Sequence, residues 1–117
     1  MAAIKTASTN QFNKRHVATR CPVTFTVNKI GNRWKPIIIN QLLSGTKRYG
    51  ELKKAIPAIT EKMLIQNLKE LETDKLIVRI ARPVVPPHVE YSLSDRGEEL
   101  RTVLLAMKEW ALKYNID

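Results

Sequence analysis

Thr60-Glu61-Lys62-Met63-Leu64-Ile65-Gln66-Asn67-Leu68-Lys69-Glu70-Leu71-Glu72-Thr73 is the most regular stretch of this chain, and its reading decides the fold. Leu64, Leu68 and Leu71 recur at spacings of four and three, the period of one helix face. Thr60 stands where a hydroxyl can cap the first turn. At about 100° per residue, Lys62, Gln66, Lys69 and Thr73 fall opposite the leucines, with Ile65 at the edge. The segment therefore predicts a helix that buries leucine and turns a polar, partly basic face outward.

Just upstream, Leu52 and Ile56 repeat at four within Tyr49–Ile56, and Pro57 stops that shorter helix. Two helices joined by the tight turn Pro57-Ala58-Ile59 form the arrangement that sets a recognition helix into the major groove of DNA. Further back, Trp34 opens an apolar run through Leu43, stopped by Ser44-Gly45. Its β-branched Ile37-Ile38-Ile39 also suits a strand, but Leu42 lies four residues after Ile38, Pro36 is tolerable in a first turn, and Gly45 is a good stop, so helix is the expectation. Pro22, with Val23, Val27 and Ile30 before Gly31-Asn32, predicts another short helix.

Downstream, Ile77–Arg82 and Val89–Leu93 are rich in β-formers, and Val89, Tyr91 and Leu93 alternate with Glu90 and Ser92 as a half-buried strand should. The stiff connection Pro83-Val84-Val85-Pro86-Pro87-His88 is poor in backbone donors and suits a projecting loop. Asp95 with Glu98 resembles a helix-opening cap. A long helix should follow, with Leu100, Val103, Leu104, Met107, Trp110, Ala111 and Tyr114 as its main stripe. Leu105 and Leu112 lie off that stripe and give a second, narrower apolar surface, which a dimer would bury. The fold class expected is α+β and mostly helical: a winged helix-turn-helix with a two-stranded wing and a C-terminal dimerisation helix.

Composition narrows the function. With 117 residues and 44% hydrophobic content, one core can be filled. Twenty basic residues against 11 acidic give a net charge of +9, which suits a polyanionic partner without choosing among DNA, RNA and an anionic membrane. Residues 1–20 carry Lys5, Lys14, Arg15 and Arg20 and no acid, and read as a flexible basic arm. Such an arm either tracks phosphate or is simply an untethered terminus. The single Cys21 rules out an internal disulfide framework and leaves no thiolate cluster for zinc. A reducing cytoplasm fits, no run reaches the 18 apolar residues of a membrane span, and no signal peptide is apparent. With His16 in the arm, His88 in a loop, no phosphate-cradling glycines and no base beside Cys21, neither catalysis nor a cofactor or metal is expected.

Several spaced segments go further. Cys21-Pro22, Gly31-Asn32-Arg33-Trp34, Arg48-Tyr49-Gly50-Glu51-Leu52, Ile59-Thr60-Glu61-Lys62-Met63-Leu64, Leu68-Lys69-Glu70-Leu71-Glu72 and Val85-Pro86-Pro87-His88-Val89-Glu90-Tyr91-Ser92-Leu93-Ser94-Asp95-Arg96-Gly97 occur in an order that closely resembles the HxlR family of prokaryotic transcriptional regulators. The resemblance spans about residues 21–112, so the expected division is an arm over 1–20 and a single winged domain over 21–117. It implies a homodimer built through terminal helices that binds inverted repeats near promoters. Three departures stand out: Asn32-Arg33 where Gly-Lys is usual, Lys75 where glycine is common, and His88 where arginine is frequent.

On this reading Lys62 and Gln66 face base edges, since lysine can donate to guanine and glutamine can pair with adenine. Lys69 lies close to phosphate, with Thr60 and Ile65 on the same helix. Arg79, Arg82 and His88 at the wing, and Arg48 before the helix-turn-helix, are expected phosphate or minor-groove partners. A solvated helix face and solubilising arginines would look similar. The dimer surface would use Leu104, Leu105, Met107, Trp110 and Leu112. The resemblance also makes Cys21 a candidate sensor of oxidants or electrophiles, since a helix start beside Arg20 favours thiolate; a half-buried cysteine with no signalling role fits equally. The alternative function is a winged-helix module that binds protein or RNA, against which the outward face of helix 60–74 lacks the aromatic anchors of a docking surface.

Overall fold

The computed structural model describes residues 21–114, so the basic arm expected over residues 1–20 lies outside the described residues. The described residues fall into two compact units, divided between Asn32 and Arg33. In the first, helix α1 spans Pro22–Ile30, with Cys21 as its N-cap and proline at the start of the first turn, where no intrahelical donor is needed.

The second unit runs α2 (Lys35–Leu42), β1 (Lys47–Arg48), α3 (Tyr49–Ala55), α4 (Glu61–Thr73), β2 (Ile77–Arg82), β3 (His88–Leu93), α5 (Asp95–Glu98) and α6 (Arg101–Lys113). The isoleucine run is helical. Ile38 and Ile39 are fully buried in α2, and burying two such side chains, worth about 1.5–3 kcal/mol each, outweighs the small helix cost of β-branching.

Leu52 of α3 and Leu64, Leu68 and Leu71 of α4 join these isoleucines in the core, as the heptad-like spacing requires. The turn between α3 and α4 is itself apolar inside: Ile56 and Ile59 are buried, and Ile56 N–H donates to the Leu52 carbonyl at 3.0 Å. Buried side chains on both sides of Pro57 fix the angle between the two helices.

Helix α4 ends in a Schellman arrangement. Leu76 N–H donates to Leu71 O at 2.9 Å and Lys75 N–H to Glu72 O at 3.0 Å, with Lys75 at φ 61°, the left-handed conformation that glycine adopts most readily. The chain then enters β2 directly. Gly97 packs against this corner so closely that an added Cβ would sit 2.0 Å from the Leu76 carbonyl oxygen.

The expected two-stranded wing, β2 with β3, is present, and a short third strand, β1, extends it to a three-stranded sheet. Its order is β1-β3-β2, all antiparallel, with Lys47 opposite Tyr91 and Arg48 opposite Glu90. Two residues are too short a run to show alternation, which is why the third strand escapes a pattern reading. Two expectations are corrected here. His88 is the first residue of β3, paired with Arg82, rather than part of the connecting loop. The C-terminal helix is not continuous from Asp95: Ser94, not Asp95, is the cap of α5, and Leu100 N–H bonds three residues back to Gly97 at 3.0 Å, which tightens the chain between α5 and α6.

Arg101 anchors α6. Its Nε donates to Glu98 Oε1 at 2.7 Å and its guanidinium donates to the carbonyl of Leu43, the C-cap of α2, at 2.9 Å. No helix among the described residues is long and apolar enough to cross a membrane.

Candidate nucleic-acid interface

A groove of about 1050 Å³ runs between α4, the start of α3 and the central strand of the wing. Arg48, Lys54, Lys69, Arg79 and His88 surround it, with Glu51 and Glu72 as the acidic members and Ile65, Tyr49, Val89 and Tyr91 as its apolar wall. Five expected DNA-binding residues (Arg48, Ile65, Lys69, Arg79 and His88) therefore come from four separate elements to one concave surface. Cations outnumber carboxylates around it, so it presents a positive field to a polyanion.

Each wall is fixed locally. Thr60 caps α4 as expected, its Oγ1 accepting from Met63 N–H at 3.1 Å. Glu51 reaches back to accept from the Arg48 backbone N–H at 2.7 Å, which holds the start of α3. Tyr49 spans the two helices, its hydroxyl donating to Glu61 Oε1 at 3.4 Å. Burial, and then the Glu61 carboxylate beside it, push this phenol above its ordinary range, so it stays a neutral donor. Across the groove, Arg79 stands opposite Tyr91 in the β2–β3 register.

Lys62, Gln66 and Thr60 are exposed on α4 but do not line the groove. Gln66 is engaged within the helix: its Nε2 donates to Glu70 Oε2 at 3.2 Å, and Glu70 Oε1 lies 2.7 Å from Lys35 Nζ. Hydrogen bonding from Lys35, then from Gln66, holds the Glu70 carboxyl below its usual value. Arg82 is also engaged, its Nε 3.1 Å from Glu90 Oε1, while His88 Nε2 lies 2.8 Å from Glu90 Oε2. The His88 hydrogen bond, then that from Arg82, lowers the Glu90 carboxyl. At the tip of the wing, beyond these pairs, Val85 is 98% exposed.

Tyr49, Lys54 and the two groove carboxylates were not legible as site residues. For Lys54 a signal exists, since Gly50 and Lys54 are four apart and share a face of α3. Nothing in the sequence foretells that Tyr49 bridges to Glu61.

On α6, Leu104 is buried within its own unit, whereas Leu105, Met107, Trp110 and Leu112 are exposed. Met107, Trp110 and Tyr114 were expected on the main stripe of this helix, with Met107 and Trp110 also named for the dimer surface. Trp110 is 67% exposed and stacks only with Tyr114, ring centroids 5.0 Å apart, among the described aromatic pairs. The uncovered apolar surface of α6 is thus wider than the Leu105–Leu112 line.

In the first unit, Cys21 Sγ accepts from Thr24 N–H at 3.5 Å. Hydrogen bonding from the Thr24 side chain, then its backbone, lowers the thiol from its ordinary value against a weaker opposing push from burial. Arg20, the other expected influence, lies outside the described residues.

A buried-leucine recognition helix, a preceding helix at a fixed turn, and a sheet that projects a loop beside a cationic groove define a winged helix-turn-helix protein. Residues 29–117 match the family described as HxlR-like helix-turn-helix, and the chain belongs to that family. It is 47% identical over 94 residues to the HTH-type transcriptional regulator YdeP of Bacillus subtilis, covering 80% of this chain and 73% of that protein. Among solved structures it is similar to the redox regulator HypR in its oxidized form, with TM-score 0.77 and 43% identity over 83% of this chain and 99% of that one. The reduced form of the transcriptional regulator YodB from B. subtilis is similar at TM-score 0.72 and 36% identity, over 81% of this chain and 94% of that one. The chain is accordingly a DNA-binding transcriptional regulator and not an enzyme.

Proposed function

We propose that the chain acts in the cytoplasm as a homodimer that reads an inverted-repeat operator in duplex DNA. The observation that carries this is the convergence of Arg48, Lys69 and Arg79 on the groove beside α4. In this reading α4 enters the major groove, with Lys62 and Gln66 at base edges. The cationic groove seats the sugar-phosphate backbone, and the loop between β2 and β3 reaches the adjacent minor groove. Thr60 and Ile65 lie along the same helix, while Arg82 and His88 support the wing through Glu90.

The exposed Leu105, Met107, Trp110 and Leu112 supply the dimer contact. An apolar helix face left open in a monomer is a cost that pairing removes. A negative charge introduced on each separates the two surfaces. Lys69→Glu should abolish duplex binding while the mass in solution stays that of a dimer. Trp110→Glu should give a folded monomer by sedimentation. A Trp110→Glu protein that remains dimeric would remove this helix from the interface.

HypR is described as a redox regulator, and YodB has been examined after diamide treatment. Together with the lowered Cys21 thiol, this supports a sensing role. Attack of the thiolate on a hydroperoxide gives a sulfenic acid and releases the alcohol or water. Condensation of that sulfenic acid with the thiol of a second subunit, or of a small thiol, gives a disulfide and water. Alkylation rates measured against pH check the first step: an apparent pKa near the free-cysteine value of about 8.5 would remove Cys21 as a sensor.

A further inference from the structure

We propose that Glu70 is a positioning residue that fixes the side-chain amide of Gln66 as a reader of adenine. The inference rests on the reading that α4 lies in the major groove.

An ionised carboxylate can only accept hydrogen bonds, so only the NH₂ end of the Gln66 amide can face it. That is the geometry found, with Gln66 Nε2 donating to Glu70 Oε2 at 3.2 Å. Glu70 is held in turn: its other oxygen lies 2.7 Å from the Nζ of Lys35, a buried residue at the start of α2. The chain from Lys35 through Glu70 to Gln66 therefore runs from the interior of the unit to the exposed face of α4.

The constraint leaves Gln66 with its Oε1 as an acceptor and one N–H as a donor. Adenine offers the complementary pair in the major groove, an N6 amino donor beside the N7 acceptor. Guanine offers two acceptors, N7 and O6, and would set O6 against Gln66 Oε1. Once Glu70 no longer holds the NH₂ end, the amide can turn both N–H groups outward and tolerate guanine.

The test uses the full-length protein and duplexes carrying its selected binding site, with each base pair replaced in turn. Gln66→Ala identifies the pair that Gln66 reads. There, A·T to G·C replacement should weaken wild-type binding about tenfold or more. In Glu70→Gln, which keeps the side-chain volume, that penalty should fall to within about twofold while penalties at other pairs stay as in the wild type. Loss of packing would instead weaken binding at all pairs together. Glu70→Ala serves the same comparison if Glu70→Gln lowers the melting temperature. A full penalty retained at that pair in both variants would overturn the inference. So would a Gln66→Ala protein with unchanged preferences at every pair. Failure of the wild type to bind any duplex would overturn the DNA-reading function itself, a separate outcome.

Discussion

The hydroxyl of Ser94 donates to the carbonyl oxygen of Lys75 at 2.6 Å, joining the start of α5 to the left-handed residue just beyond α4. The Ser94 hydroxyl oxygen in turn accepts from Gly97 N–H at 3.0 Å, and Ser94 N–H donates to Leu76 O at 3.1 Å. One side chain thus caps a helix and secures the corner from which the wing departs. Ser94→Ala removes both bonds and should destabilise the protein by about 1–2 kcal/mol in urea unfolding. A loss under a few tenths would show that water replaces the hydroxyl at both partners.

Lys75 occupies a left-handed position without the freedom of glycine. A non-glycine residue there costs about 1–2 kcal/mol, partly offset by the greater entropy glycine has in the unfolded chain. Lys75→Gly should therefore raise stability by about 0.5–1 kcal/mol by urea unfolding, leaving DNA affinity nearly unchanged.

Glu90 carries a pH dependence. Its carboxyl is lowered by His88 first and Arg82 second. Its contribution to stability is fully present above the unfolded value of about 4.3 and disappears as pH falls through the lowered folded value. Denaturation midpoints taken across the acid range should fall more steeply for the wild type than for Glu90→Gln. Parallel curves would mean the wing pairs add nothing in solution.

Arg79 and Arg82 should differ as phosphate partners although the sequence treats them alike. Arg82 is paired with Glu90, whereas Arg79 is exposed on the groove. By anisotropy at several salt concentrations, Arg79→Ala should lower the slope of log affinity against log salt by about 1, and Arg82→Ala by clearly less. Equal slopes would place both guanidinium groups on phosphate.

The helix-turn-helix was legible because α4 obeys a single rule along its whole length: leucines at four and three, a capping threonine before them, and polar residues opposite. Strand β2, Ile77–Arg82, was legible from its concentration of β-forming residues. What escaped depends on partners distant in sequence. Lys47–Arg48 becomes a strand only because Tyr91 and Glu90 lie beside it. Gln66 and Arg82 look like free polar side chains until Glu70 and Glu90 are seen to hold them. Trp110 matches the helical stripe in sequence, yet α6 runs past the surface its own unit provides, leaving the ring exposed.

Selection of random genomic fragments on the purified protein at near-physiological salt, followed by sequencing, tests the central claim most directly, because that salt suppresses non-specific phosphate attraction. A dimer that sets one α4 helix into each half-site predicts enrichment of an inverted repeat with half-sites about one helical turn, or roughly 34–36 Å, apart. Salt-sensitive binding with no enriched sequence would contradict it, leaving a winged-helix module that holds nucleic acid without reading it.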